Sequence, residues 1–323
     1  MEQRKLIGFG KATFSVTLPK TWIRKNRLKK GDTLSVQETS RNSIEIIPKL
    51  EADEKQRSID IEMENKGVKE VTRLLVSAYL NGYTHVTIKG SNAGKVQYIR
   101  KKVHELIAAE VMEVTSNTIV IHIFWDVKSL NLRSMINRIE QITKTIFKET
   151  NEMCDGACDI QDILEKSYEV QRQTLLAKRA ITNALVDSDV AYKFNASSLE
   201  LCYTAFLIHY LDKIAEYIAG MSKILCETNL LKRLSPKAKA EIQHVLEEVY
   251  NNYERALIAY NTMDESMANT VVDEFTHYDK IIRNIREKYM QTWMPTFCGY
   301  IRRIITKTRD IGFIVINLEN APK

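Results

Sequence analysis

The stretch KATFSVTLPKTWIRKNRLKKGD, residues 11–32, joins a short apolar strand to a dense run of positive charge. Apolar and polar side chains alternate from Thr13 to Leu18, which is the period-two pattern of a strand with one buried face. Pro19 follows, and proline is tolerated in the first turn of a helix, so the sequence predicts a single helical turn over residues 20–26. Six Lys and Arg residues lie between positions 20 and 30.

Positive charge is concentrated in the first fifty residues. They contain seven Lys and four Arg against four acidic residues, a net charge of +7, whereas all 323 residues together carry +6. Such a concentration on a small module is typical of nucleic-acid-binding proteins. The alternative is a solvated basic face without a ligand.

The first fifty residues also show short alternating segments. The sequence predicts strands over 5–9, 12–18, 33–38 and 43–47. A segment of this length buries too little apolar surface to be comfortably stable alone. We therefore predict that residues 1–50 form a module that dimerises with a second copy of itself.

Two further regions follow a charged linker over residues 49–57. Residues 58–126 alternate between strand and helix patterns and predict a small α/β domain, with strands over 59–63, 85–89, 110–115 and 119–124 and helices over 68–80 and 96–108. Residues 130–319 show helical periodicity throughout. Six helices are predicted, in two groups of three over 130–228 and 235–319, an internal repeat of antiparallel bundles. The last four are expected over 197–226, 236–262, 264–290 and 297–317, with a break at Met294-Pro295.

Acidic residues on two neighbouring helices raise the possibility of a metal site. Asp212 and Glu216 are four residues apart on one helix face, and Glu165 and Glu169 repeat this spacing on the preceding helix. Two antiparallel helices that each present two carboxylates can converge on a divalent or iron-type ion. Carboxylates at this spacing more often line a solvated face, and that alternative stays open.

Other chemistry-bearing residues show no pattern. No Ser-His-Asp or Cys-His arrangement is readable, so we expect no enzyme. Five histidines have no partner pattern and are expected at the edge of the core or on the surface: His85, His104, His122, His244 and His277. The five cysteines, an odd number, indicate reduced thiols and a cytoplasmic protein. No apolar run has the length of a membrane span and the amino terminus lacks a secretory signal pattern, so no membrane insertion is expected.

The amino-terminal residues resemble a known family. GKATFSVTLPKTWIRKNRLKKGDTLSVQ, followed by SIEIIP, is similar to the SpoVT/AbrB module, with its strand, Leu-Pro-Lys-x-Trp turn and Lys-Lys-Gly-Asp corner. This resemblance covers about residues 4–48 and implies a swapped-hairpin homodimer that binds DNA. It places Arg24 at a basic position of the family. Charge and placement add four candidate DNA-binding residues: Arg4, Lys11, Lys20 and Lys25.

The helical region resembles PhoU, a phosphate-uptake regulator built of two three-helix bundles. FLIHYLDKIAEYIAGMSKIL is similar to the acidic helix of that family, with Asp212 and Glu216 in its two acidic positions. Gln171 stands where an Asp is usual, and Arg302 and Thr306 stand where the second bundle should carry acids. The combination of both regions looks like an archaeal-type phosphate uptake regulator.

These resemblances imply a multidomain α+β protein. We expect a swapped-hairpin β module, a small α/β domain and an all-α pair of three-helix bundles. The leading hypothesis is a transcriptional regulator of phosphate uptake whose partners are DNA and a second copy. The alternative is an adaptor that does not bind DNA and that contacts a phosphate ABC transporter subunit or a histidine kinase, dimerised by residues 1–50.

Overall fold

The computed structural model describes residues 3–10, 13–39, 43–48, 57–90, 94–124, 130–153, 159–227, 235–289 and 291–321. They belong to two compact units, Met1–Gln56 and Arg57–Lys323. The multidomain α+β class predicted from the sequence is confirmed, with strands in the first unit and a sheet followed by helices in the second.

The described residues of the first unit form two separate hairpins and one short helix. Strand β1 (Ile7–Phe9) pairs antiparallel with β2 (Thr13–Ser15), and β3 (Leu34–Thr39) pairs antiparallel with β4 (Ser43–Pro48). Helix α1 (Lys20–Lys25) lies between the hairpins. The predicted strand over 12–18 is observed only as β2, because β1 offers just three residues as partners for a ladder.

The second unit begins with a four-stranded sheet. Its elements are β5 (Ser58–Glu62), α2 (Val68–Leu80), β6 (His85–Lys89), α3 (Val96–Glu105), β7 (Ala109–Val114) and β8 (Thr118–Ile123). The strand order is β5-β6-β8-β7; β5 and β6 are parallel, whereas β8 is antiparallel to both of its neighbours. Side chains alternate between faces, so Val86, Ile88 and Ile121 pack on α2 and α3 and the other face carries polar residues.

Helices α4 (Leu132–Glu152), α5 (Ile160–Val186) and α7 (Ser198–Glu227) form the first bundle, with the short α6 (Ser188–Phe194) between the last two. The second bundle contains α8 (Pro236–Thr262), α9 (Glu265–Asp273), α10 (Phe275–Lys288) and α11 (Met294–Glu319). Their apolar faces form one continuous core, and α7 packs along α11. In the part of the chain that the structure describes, no helix has the length and apolar character needed to cross a membrane.

Two details of the second bundle differ from the sequence-based expectation. The single helix predicted over 264–290 is divided at Glu274 into α9 and α10. Pro295 was expected to interrupt the chain, but it lies in the first turn of α11, where its missing N–H leaves no helical hydrogen bond unmade. Side chains cap the first turn of several helices; for example, the Ser235 hydroxyl accepts a hydrogen bond from the N–H of Ala238.

Arg179 on α5 joins the bundle to the sheet region. Its side chain is fully buried, stacks 4.9 Å from the ring centre of Tyr79, and donates to the backbone oxygens of Tyr79 and Tyr83. Burial lowers the pKa of Arg179 to about 10. The buried guanidinium therefore ties α5 to the carboxyl end of α2.

Candidate nucleic-acid interface

The predicted DNA-binding residues lie on and around helix α1. Lys20 is its first residue, and Arg24 and Lys25 form its last turn. All three side chains are exposed, and none has an ion-pair partner in the described part of the chain. Arg4 is also exposed and lies just before β1. Lys11 lies outside the described residues.

The local sequence explains why these cations point outward. The carbonyl of Pro19 accepts hydrogen bonds from the N–H groups of Trp22 and Ile23, which starts the helix. Trp22 and Ile23 are half-buried, so the opposite side of the turn presents Arg24 and Lys25 to solvent. Cations in the last turn also interact favourably with the helix dipole, which is a sufficient structural reason for their position without any ligand.

The unit that contains α1 also exposes many apolar side chains. Among the residues of the first unit whose side chains the structure describes, none is buried. Phe14 is 66% exposed, Val36 66% and Ile44 69%, and four more large apolar side chains are also exposed: Leu6, Ile7, Phe9 and Val16. Exposed apolar residues at this density mark an interaction surface.

The two carboxylates predicted on α7 already have basic partners. Asp212 Oδ2 lies 3.6 Å from Lys178 Nζ, and Asp212 Oδ1 accepts a hydrogen bond from the Thr174 hydroxyl at 3.3 Å. Glu216 Oε2 lies 2.6 Å from Lys213 Nζ. Each acid on this helix face is therefore neutralised from within the bundle.

The two carboxylates predicted on α5 have different kinds of partner. Glu169 forms ion pairs with Arg138 and Arg172, both at 3.1 Å. Glu165 accepts a hydrogen bond from Gln161 Nε2 at 3.0 Å. Among the described residues, no group of three or more His, Cys, Asp or Glu side chains is arranged to hold a metal ion.

The structure does not bring Glu165, Glu169, Asp212 and Glu216 together as one group of metal ligands among the described residues, and metal binding by them stays a prediction from the sequence. Three of the four acids pair with Lys or Arg, and Glu165 accepts a hydrogen bond from Gln161. In the second bundle, Arg302 Nε lies 2.9 Å from Asp279 Oδ1, and Asp279 is 6% exposed. Arg302 therefore forms an ion pair at a position where the resemblance to PhoU would place an acidic residue.

Two histidines without an apparent pattern in the sequence meet on the sheet. His85 in β6 lies directly opposite His122 in β8, and their ring centres are 4.2 Å apart. Burial lowers the pKa of His85, and positive charge on His122 lowers it further. The sequence does place both residues on the polar face of their strands, but it does not reveal which strands pair or in which register.

Comparisons with known proteins agree with the amino-terminal interpretation. Residues 10–53 match the MazE family, described as "Antidote-toxin recognition MazE, bacterial antitoxin". The resemblance of this segment to an AbrB-type module is thereby confirmed. The match covers only this part of the chain.

The helical region has a structural counterpart. The chain is similar to the crystal structure of PhoU from Pseudomonas aeruginosa, with 16% sequence identity and a TM-score of 0.47, over 58% of this chain and 95% of that chain. No curated protein matches the chain.

Proposed function

We propose that the protein is a DNA-binding transcriptional regulator of phosphate uptake that acts as a dimer in the cytoplasm. The observation that carries this proposal is the combination, in one small unit, of exposed apolar strands and the exposed cations Lys20, Arg24 and Lys25 of α1, which have no carboxylate partner among the described residues. The match of residues 10–53 to an antitoxin family supports the same interpretation.

The cations would bind the phosphates of DNA. Lys20, Arg24 and Lys25 project from one short helix, and each Lys or Arg that neutralises a phosphate releases condensed counterions. Phosphate contacts fix the register of a protein on the duplex, whereas sequence is read by side chains that reach base edges. A dimer doubles the number of contacts and gives them two-fold symmetry, matching a palindromic site.

The apolar strands would bind the second copy. Phe14, Val36 and Ile44 are each about two-thirds exposed, so the described residues of the first unit form no core of their own. A small module of this kind gains stability by oligomerisation. The homodimer would thus supply the buried apolar surface that the single chain lacks in this unit.

The helical region would sense phosphate status or dock on a partner. This part of the proposal rests on the sequence resemblance of residues 130–319 to PhoU. The alternative function is an adaptor that contacts a phosphate ABC transporter subunit or a histidine kinase and uses the first unit only to dimerise. The exposed apolar surface supports both alternatives, whereas the exposed cations of α1 favour DNA.

Binding of the full-length protein to DNA fragments at two salt concentrations tests the proposal. Fragments from phosphate-transport promoters and the protein's own upstream region are compared with unrelated DNA. With about six phosphates neutralised, affinity falls on the order of 10³-fold between 50 and 200 mM salt. A discrete footprint that survives competitor DNA supports a regulator. Equal, weak binding to every fragment favours the adaptor, and binding to purified transporter subunit or kinase then tests that alternative.

A further inference from the structure

The polar face of the four-stranded sheet carries a pair of histidines that the proposed function does not use. His85 and His122 are directly opposite each other in the antiparallel β6–β8 ladder, so their side chains project from the same face. Their ring centres are 4.2 Å apart and their planes are inclined by 62°. Both side chains are half-buried and reach solvent, because α2 and α3 pack against the other face of the sheet.

We propose that His85 and His122 bind a borderline divalent cation of the Zn²⁺, Ni²⁺ or Cu²⁺ class through one imidazole nitrogen each. Imidazole suits these ions, and two rings on adjacent strands are already positioned side by side without any change of the backbone. Glu110 in β7 lies opposite His122 on the same face, but no group of three His, Cys, Asp or Glu side chains among the described residues is arranged to hold an ion, so water completes the coordination. The site is therefore open and its ion exchanges with solvent.

Thr84 orients one of the two rings. Its hydroxyl oxygen lies 3.0 Å from His85 Nδ1 and accepts a hydrogen bond from the N–H of Arg57 at 3.2 Å, at the start of β5. When Nε2 of His85 binds the metal, Nδ1 carries the proton, and this N–H donates a hydrogen bond to the Thr84 hydroxyl oxygen. Such outer partners fix the tautomer and the ring orientation of metal-binding histidines. The neighbouring β5 thus supports the geometry of the ligand in β6.

The ordinary alternative is a cross-strand contact between two neutral rings. A pair of this kind contributes modestly to sheet stability and has no ligand. The two alternatives differ in how the substitution of either histidine changes the affinity of the protein for metal. They do not differ in the presence of metal after purification, because an open site of two nitrogens loses its ion to chelators.

Nickel titration of the full-length protein by calorimetry separates the alternatives. The protein is first stripped with EDTA, and its thiols are alkylated because Cys202 and Cys226 are exposed. We expect one Ni²⁺ site per chain that His85→Asn and His122→Asn each abolish. His104→Asn is the matched control: this histidine is exposed on α3 and should leave the titration unchanged. Thr84→Val should weaken binding about 10-fold.

A spectroscopic measurement counts the nitrogens independently. Electron paramagnetic resonance of bound Cu²⁺ should show two coordinated imidazole nitrogens in the unmodified protein and one in either single variant. Circular dichroism spectra verify that each variant is folded. The proposal is overturned if the unmodified protein has no Ni²⁺ site, or if both histidine variants bind Ni²⁺ as the unmodified protein does.

Discussion

The amino-terminal unit and the helical bundles use the same kinds of residue in opposite ways. Phe14 in the first unit is 66% exposed, whereas Phe147 in α4 is 3% exposed and packs against the ring of Tyr253 at 5.3 Å. Arg24 and Lys25 have no carboxylate partner among the described residues, whereas Lys178 in the first bundle is paired with Asp212.

This difference shows which part of the chain buries its apolar side chains and pairs its charges without a partner molecule. The bundles bury a continuous core of apolar side chains and pair many of their charged side chains with one another. In the first unit, by contrast, large apolar side chains stay exposed, and Lys20, Arg24 and Lys25 have no carboxylate partner among the described residues. Molecules outside the chain would remove both deficits. A second copy would cover the apolar strands, and DNA would neutralise the cations.

The largest expected effect tests the exposed cations of α1. In a dimer, Arg24→Glu/Lys25→Glu removes four favourable charges and adds four unfavourable ones, so DNA affinity at 100 mM salt should fall on the order of 10³-fold. Fluorescence anisotropy with a labelled promoter fragment measures the change. The control is Arg100→Glu/Lys101→Glu, an identical dipeptide that is exposed on α3 of the second unit. Similar losses in the two variants would mean that binding follows total charge and that α1 has no particular role.

The second prediction concerns the exposed apolar strands. Phe14→Ser should raise the dissociation constant of the dimer about 100-fold, because each copy loses the burial of one aromatic side chain, roughly 1.5 kcal/mol per copy. Sedimentation velocity over a range of protein concentrations measures it. Phe147→Ala is the counterpart within the bundle: it should lower the free energy of unfolding by about 4 kcal/mol at any protein concentration. If the Phe14→Ser variant forms an equally stable dimer, this apolar face has another function.

The regular elements of the second unit could be predicted closely from the sequence. The bounds of α2 are those predicted, because Gly67 and Gly82 flank a clear apolar stripe, and Gly82 has a φ of +85° that favours glycine after the helix. Helix α8 likewise begins at Pro236, directly after its cap Ser235, and ends at Thr262 as expected. Strong local signals of this kind do not depend on the rest of the fold.

The candidate sites were predictable only in part. Charge and position on a helix can be read from neighbouring residues, whereas contacts between side chains depend on residues far apart in the sequence. Arg24 and Lys25 are exposed on their turn as expected. The acids at positions 165, 169, 212 and 216 have the predicted spacing. The sequence does not reveal, however, that Lys178 of α5 pairs with Asp212 of α7 and that Arg138 of α4 pairs with Glu169 of α5. The contact between His85 and His122 depends on the pairing of strands far apart in sequence.

The third prediction tests how tightly the second unit is held together. Arg179→Met should lower the free energy of unfolding by about 2 kcal/mol, because buried backbone oxygens at the end of α2 lose a donor. Urea denaturation measures this change. Arg172→Met on the same helix is the control: its ion pair with Glu169 is partly exposed, so the expected loss is under about 1 kcal/mol. Equal losses would indicate that Arg179 acts by its charge alone and has no special role at the junction.

The smallest expected effect concerns the acids of the first bundle. Asp212→Asn/Glu216→Gln should change the free energy of unfolding by less than about 1 kcal/mol, because each acid pairs with a lysine that remains partly exposed. The metal content of the purified protein, measured by plasma mass spectrometry, should be the same for this variant and the unmodified protein. Loss of a stoichiometric metal from the variant would restore the carboxylate cluster that the sequence suggested. Because Lys178 and Lys213 already occupy the positive side of each pair, a divalent ion would have to displace both lysines before it could bind.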